Sequence, residues 1–277
     1  MQVINSIEEM KQERKKLACT VGFVPTMGYL HRGHLTLVRR AKRDNDVAVV
    51  SIFVNPTQFG PGEDFATYPR DTERDLEMLE KEGVDFVFMP TPDDMYPDGY
   101  NTWVETFGIT SKLEGEKRPG HFKGVTTIVN KLFNIVLPHK AYFGQKDAQQ
   151  LRVIQKMVAD LDMHVKIMPV ATVRSRRGLA MSSRNNYLSK EEREAALVLY
   201  KALSTAEEMY MRGEQDVARI RVKITGIINQ EPLAKIDYIS IADADTLEEL
   251  TYMDRSALIS MAVRIGNTRL IDNRTIG

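Results

Sequence analysis

Two histidines, His31 and His34, stand three residues apart in the stretch V-G-F-V-P-T-M-G-Y-L-H-R-G-H from Val21 to His34. Rings spaced i and i+3 share one face of a helix, so both could offer N–H donors to a single anion. The flanking residues suggest what positions them. Val21 to Val24 is an apolar run ended by Pro25 and reads as a buried strand; Gly28 and Gly33 permit a tight turn; Leu35, Leu37, Val38 and Ala41 form the inward face of a helix. Strand, loop and helix N-terminus in that order would aim unpaired backbone N–H groups and the positive end of the helix dipole at the loop's occupant, for which phosphate is the natural choice. The same spacing suits a packed or surface histidine pair, and these residues alone leave both readings open. Zinc has little support: Cys19 is the only cysteine, and no Cys, His and carboxylate cluster lies near the pair.

Other strand ends carry similar chemistry. The β-branched run Val47 to Val54 reads as a strand covered on both faces, and it stops at Asn55-Pro56, which places Gln58 beyond its carboxyl end, where open α/β sheets bind ligands. Ala141 to Phe143 is a short strand running into Gly144, Gln145, Lys146 and Asp147; Lys146 would stand beside the first loop if both strands are central and parallel, and Gln150 follows one turn on. Arg118, His121 and Lys123 cluster around two glycines in R-P-G-H-F-K-G-V, a second anion-friendly entrance before a helix. Asp75, on a helix from Arg70 to Gly83, could reach a metal ion. The segment from Val170 to Asn186 packs four arginines, Ser182, Ser183 and a glycine into what reads as a phosphate-facing loop. Each of these residues also has an ordinary role as a turn or solvated helix-start residue.

At 277 residues the chain can bury one large or two modest cores. Its 38 basic and 38 acidic residues cancel, so no global field favours nucleic acid or an anionic membrane, and any anion site must be local. No apolar run approaches a membrane span, the N-terminus lacks the pattern of a signal peptide, and a single cysteine suits a reducing compartment; a cytoplasmic protein is expected. Ser189 and Glu192 form a capping box that opens a helix, which puts a boundary near Asn185: residues 1–184 form an α/β domain with a parallel sheet, and residues 185–277 a small α+β domain with strands near Ile236 to Ile241, Ala257 to Ile265 and Leu270-Ile271.

The motifs P-T-M-G-Y-L-H-R-G-H, F-V-N-P-T-Q-F-G, Y-P-R, R-P-G-H-F, Y-F-G-Q-K-D, G-L-A-M-S-S-R-N and R-L-I-D-N occur in that order. Together they closely resemble the pantothenate synthetase (pantoate–β-alanine ligase) family over nearly the whole chain. The histidine loop alone is shared with the wider nucleotidyltransferase superfamily. The resemblance implies a Rossmann-like sheet, a C-terminal lid domain, and ATP-dependent condensation of pantoate with β-alanine through an adenylate. It implies ATP contacts at Met27, Gly28, Tyr29, Leu30, His31, Arg32, Gly33 and His34, at Gly144, Gln145, Lys146 and Asp147, at Val173, and at Met181, Ser182, Ser183 and Arg184. His34, His31, Lys146 and Arg184 take the catalytic roles, and Gln58 and Gln150 contact pantoate, Gln58 also β-alanine. Mg2+ and a homodimer are further implications. Arg32, Thr57 and Arg177 depart from the residues common at their positions. A nucleotidylyltransferase and a nucleotide-sensing module are the rivals, and each lacks a reason for the other six motifs.

Overall fold

The computed structural model describes residues 1–277, which form two compact units: Met1–Gln145 with Gln149–Ala171, and Lys146–Ala148 with Thr172–Gly277. The first unit therefore ends at Ala171, upstream of the division drawn at Arg184 from sequence.

The first unit holds β1 (Gln2–Ile4), α1 (Ile7–Lys16), β2 (Val21–Thr26), α2 (Arg32–Asp44), β3 (Val47–Ile52), α3 (Thr72–Lys81), β4 (Phe86–Phe88), α4 (Pro92–Met95), α5 (Glu114–Lys117), α6 (His121–Val136), β5 (Lys140–Gly144), α7 (Ala148–Asp160) and β6 (Lys166–Val170). The strands form one parallel sheet in the order β1-β4-β3-β2-β5-β6. Successive residues of the central strands face opposite layers, and both are dry. Val21, Phe23 and Val49 join α6 and α7 side chains such as Ile128, Leu132 and Ile154, while Val24, Ala48 and Val50 pack with Leu37, Val38 and Ala41 of α2 and Leu79 of α3. Connections step outward from β2 through β3 to β4, and from β5 to β6. The order thus reverses between β2 and β5, and ligands of open parallel sheets sit beyond the carboxyl ends at such a reversal.

β2 does not stop at Pro25. Pro25 pairs in register with Ser51 and Thr26 with Ile52 of β3. Alternation turns the missing Pro25 N–H toward β5, and the register with β5 covers only Gly22 and Phe23. Proline therefore removes no ladder bond, and the strand carries two residues further toward the site.

The second unit contains α8 (Lys190–Ala195), α9 (Leu197–Met211), α10 (Val217–Asn229) and the antiparallel sheet β7 (Ala234–Asp243), β8 (Ala257–Ile265) and β9 (Thr268–Ile276). Ser189 and Glu192 make the expected reciprocal cap. The helix breaks at Ala196 and resumes as α9. Leu199, Leu203, Ile220 and Ile224 pack on Ile259, Met261 and Val263 of the sheet. No helix is long and apolar enough to cross a membrane.

Candidate active site

Thr26, at the end of β2, begins a turn whose backbone is tied down at almost every step. Thr26 Oγ1 donates to the Ser51 carbonyl at 2.7 Å and accepts the Gly28 N–H at 3.2 Å. The Tyr29 and Leu30 N–H groups donate to the two oxygens of Asp75 at 2.6 and 2.7 Å. Arg74 beside it donates to the Leu30 carbonyl at 3.0 Å and lies over the Tyr29 ring. Gly28 and Tyr29 adopt positive φ, 79° and 49°. A Cβ on Gly28 would stand 3.1 Å from Asp75 Oδ2, so glycine admits both the turn and the carboxylate beneath it.

This corrects the expected phosphate cradle of unpaired backbone N–H groups. The His31 N–H donates to His34 Nδ1 at 3.3 Å and the Gly33 N–H to His31 Nδ1 at 3.1 Å, a reciprocal cap at the start of α2. Gly33 lies within the helix and supplies a donor, not an unusual dihedral. Both Nδ1 atoms are thereby taken up by the helix N-terminus. An Nδ1 that accepts carries no proton, so each neutral ring keeps its proton on Nε2. The rings stack with centroids 4.0 Å apart. Exposed Arg32 opens α2, whose first turn has no acidic residue. A cation there costs helix stability, roughly 0.3–1 kcal/mol, and suits a bound anion.

Asp75 does a different job from the metal ligation expected of it. It is 1% exposed, and both oxygens are taken by the loop. Burial pushes its carboxyl above the ordinary range, against the lowering effect of the two backbone N–H groups. No group of three or more His, Cys, Asp or Glu side chains is placed to hold a metal ion.

Gln58 ends the 3₁₀ turn Pro56–Gln58 after β3. Its amide donates to Met27 Sδ at 3.0 Å, and Asn55 Nδ2 donates to its Oε1 at 3.2 Å. Asn55 Oδ1 accepts from the hydroxyls of Thr57 and Tyr96 at 3.0 and 2.9 Å, so Thr57, one of the departures, is a working member of the turn. Gly124 of α6 lets that helix press on the turn: a Cβ there would meet the Thr57 carbonyl at 2.4 Å.

From α6, His121 Nδ1 donates to the Gln58 carbonyl at 2.8 Å, which leaves Nε2 to accept from Arg118 Nη1 at 3.1 Å. His121 and Lys123 are therefore in the first turn of α6 rather than before it. Burial first, and the Arg118 charge second, hold the His121 imidazole down from 6.5 to about 4. The unfolded chain thus takes up a proton near pH 6.5 that the folded chain refuses until about pH 4. Stability present above that window falls as pH drops through it, by a total on the order of 3 kcal/mol. Urea unfolding of His121→Gln and the parent at pH 7 and pH 5 checks this; an equal pH 7-to-5 loss in both would show that His121 is not the source.

Gly144 ends β5, Gln145 opens the 3₁₀ turn Gln145–Asp147, and Gln150 lies half-buried on α7. Its neighbour Gln149, which sequence reasoning passed over, is the buried anchor: Nε2 donates to the carbonyls of Ile109 and Lys112, and Oε1 accepts the Glu114 N–H.

The remaining residues of interest belong to the second unit. Lys146 Nζ is 3.4 Å from Asp147 Oδ1, and the Lys146 carbonyl accepts from Asn273 Nδ2 at 2.6 Å. Val173 to Met181 folds back on itself: Arg174 bridges Ala180, and the Met181 N–H donates to the Val173 carbonyl at 2.9 Å. Ser182 Oγ caps the 3₁₀ turn Ser183–Tyr187 by accepting the Arg184 N–H. The expected array of phosphate-facing arginines is narrower than it reads. Arg174 donates to both oxygens of buried Asp272 at 2.6 and 2.8 Å, and Arg177, another departure, pairs with Glu194. Composition alone did not separate these structural arginines from Arg184; the motif G-L-A-M-S-S-R-N did.

The family model described as Pantoate-beta-alanine ligase matches residues 2–275. The pantothenate synthetase of Herpetosiphon aurantiacus is 57% identical over 99% of both chains, and that of Thermotoga petrophila 54% identical over all of both. The crystal structure of pantothenate synthetase from Thermus thermophilus superposes with a TM-score of 0.95 at 47% identity, covering 99% of each chain. That of the Francisella tularensis pantoate-beta-alanine ligase, complexed with beta-gamma ATP and beta-alanine, gives 0.82 at 36% identity over 99% of this chain and 97% of that one. With the histidine loop at the reversal of a parallel sheet and a match that runs the length of the fold, the chain belongs to the pantoate–β-alanine ligase family.

Proposed function

We propose that the chain performs its family's condensation of pantoate with β-alanine by the following division of labour among its own residues. The observation that carries it is the reciprocal His31–His34 cap, which fixes two Nε2–H donors at the sheet reversal. In the first step a pantoate carboxylate oxygen bonds to the α-phosphorus of ATP, and the bond to the β-phosphate breaks, releasing pyrophosphate. A carboxylate of ordinary pKa ~4 is already ionised, so no base is needed. Catalysis rests on alignment and on charge: His31 and His34 donate to phosphate oxygens, and Lys146, Arg184 and the hydroxyls of Ser182 and Ser183 answer charge on the departing pyrophosphate. Met27 to Leu30, Arg32, Gly33, Gly144, Gln145, Asp147, Val173 and Met181 complete the nucleotide contacts in this reading.

In the second step the β-alanine nitrogen, after losing a proton, attacks the acyl carbon, and the bond to AMP breaks. Gln58 and Gln150 hold the pantoyl hydroxyls with neutral amides, which suit hydroxyl partners. The donor set does not fit a resident Mg2+, since Asp75 is committed to the loop and no cluster of ligating side chains exists; Mg2+ would travel with the triphosphate. A homodimer, a lid role for the C-terminal unit and a cytoplasmic location belong to the same proposal.

Incubating the protein with ATP, Mg2+ and pantoate, then adding β-alanine, tests it. Pantoate-dependent pyrophosphate exchange should precede AMP and amide formation; nucleotide binding without turnover, or transfer to a phosphate acceptor, would refute it. Gln58→Ala or Gln150→Ala should raise the KM for pantoate about tenfold, as expected for a lost hydrogen bond that strands its partner. Unaltered pantoate kinetics in both would put the pocket elsewhere.

A further inference from the structure

Arg118, in the cationic segment R-P-G-H-F-K-G-V, has no part in the steps above, yet it is held as a receptor would be. Nη1 is fixed by His121 Nε2 at 3.1 Å, and Nη2 reaches the Gln58 carbonyl at 3.4 Å. His121 in turn grips that same carbonyl at 2.8 Å. These contacts orient the guanidinium from behind and leave its Nε/Nη2 edge for a carboxylate, the geometry in which arginine binds carboxylates bidentately. A carboxylate occupies that edge: Glu63, from the Gly60–Tyr68 loop, accepts from Nε and Nη2 at 2.7 Å each. Burial opposes ionisation of Glu63, and the hydrogen bonds and charge of Arg118 outweigh it, so its carboxyl lies below the ordinary range.

We infer that Arg118 is the receptor for the carboxylate of β-alanine, and that Glu63 holds its place until that substrate arrives; this rests on the function proposed above. The chemistry selects the substrate. Pantoate's carboxylate becomes a neutral acyl group in the first step, so a fixed guanidinium there would lose its partner at the moment of reaction. β-Alanine reacts through its amine and keeps its carboxylate charged throughout. A receptor attached to the Gln58 carbonyl lies one residue's length from the amide assigned to the pantoyl group, which suits an amino acid only two methylenes long. The Gly60–Tyr68 loop then opens as substrate carboxylate replaces Glu63.

The test compares β-alanine with β-alaninamide, which lacks the charge, in the parent, Arg118→Lys, Arg118→Ala and Glu63→Gln. Pantoate-dependent pyrophosphate exchange reports the first step separately. In the Arg118 variants exchange should persist and the KM for β-alanine should rise on the order of tenfold to a hundredfold, as for loss of a charged hydrogen bond. The parent's preference for β-alanine over its amide should collapse, which a merely structural role for Arg118 would not cause. Glu63→Gln removes the rival charge and should lower the KM for β-alanine. An Arg118 variant that exchanges pyrophosphate but keeps the parental KM and preference overturns the assignment. Should neither Arg118 variant fold, an unchanged or raised KM in Glu63→Gln, or equal use of amide and acid by the parent, does the same. Absence of pantoate-dependent exchange in the parent would instead overturn the proposed function.

Discussion

His34→Ala should slow pantoate-dependent pyrophosphate exchange by ~10²–10³-fold, the usual effect of removing one preorganised donor from a site of charge development. The side chain has two separable jobs. Nδ1 accepts the His31 N–H and completes the cap, and in the proposed function Nε2 is the donor to the nucleotide. Asparagine places its oxygen where Nδ1 stood and has nothing at the ε position; glutamine places an amide donor at the ε position and loses the cap. His34→Asn should therefore keep the parental melting temperature and remain slow. His34→Gln should recover part of the rate and melt lower, since a lost cap costs about 1 kcal/mol. The reverse pattern, a fast Asn variant and a slow Gln variant, would show that the ring serves the helix and not the reaction.

Such a division was only half legible in the sequence. β2, β3 and β5 announce themselves because central strands of a parallel sheet are apolar on both faces, and Val47 to Val54 has no other economical reading. The edge strands β1 and β6 escaped notice: one is three residues long, and the other is half-exposed along its length, so neither has a buried run to betray it. Pro25 misled because its cost depends on which neighbour its missing N–H would have faced, and a register with β5 that ends at Phe23 cannot be read from local sequence.

The chemistry showed the same limit. Residue types that bind anions were visible at the ends of β2, β3 and β5, but not which of them the fold itself consumes. Arg174 belongs to Asp272, and Arg118 is shared among Glu63, His121 and Gln58; the Asp272, Glu63 and Gln58 partners all lie far off in the chain. The backbone N–H groups of the histidine loop looked unpaired for the same reason, because their acceptor arrives from α3.

That acceptor carries the second large expectation. In Asp75→Ala the buried Leu30 N–H loses its partner, at about 1–3 kcal/mol, and the partly buried Tyr29 N–H loses its own at a smaller cost. The positive φ of Tyr29 then lacks the contact that compensates it. The melting temperature should fall by several degrees, given roughly 2–4 °C per kcal/mol for a protein of this size class. The KM for ATP should rise, because the turn that aims both histidines is no longer held. Asp75→Asn is the sharper variant, since its oxygen can accept one N–H while its amide nitrogen meets the other donor to donor. A clamp and a metal ligand then make opposite predictions about Mg2+. A clamp destabilises the variant equally in EDTA and in Mg2+, and leaves the Mg2+ concentration for half-maximal activity unchanged. A metal ligand leaves the EDTA melt at the parental value and raises the Mg2+ requirement, and that result would return Asp75 to the nucleotide's counterion and remove it from the loop.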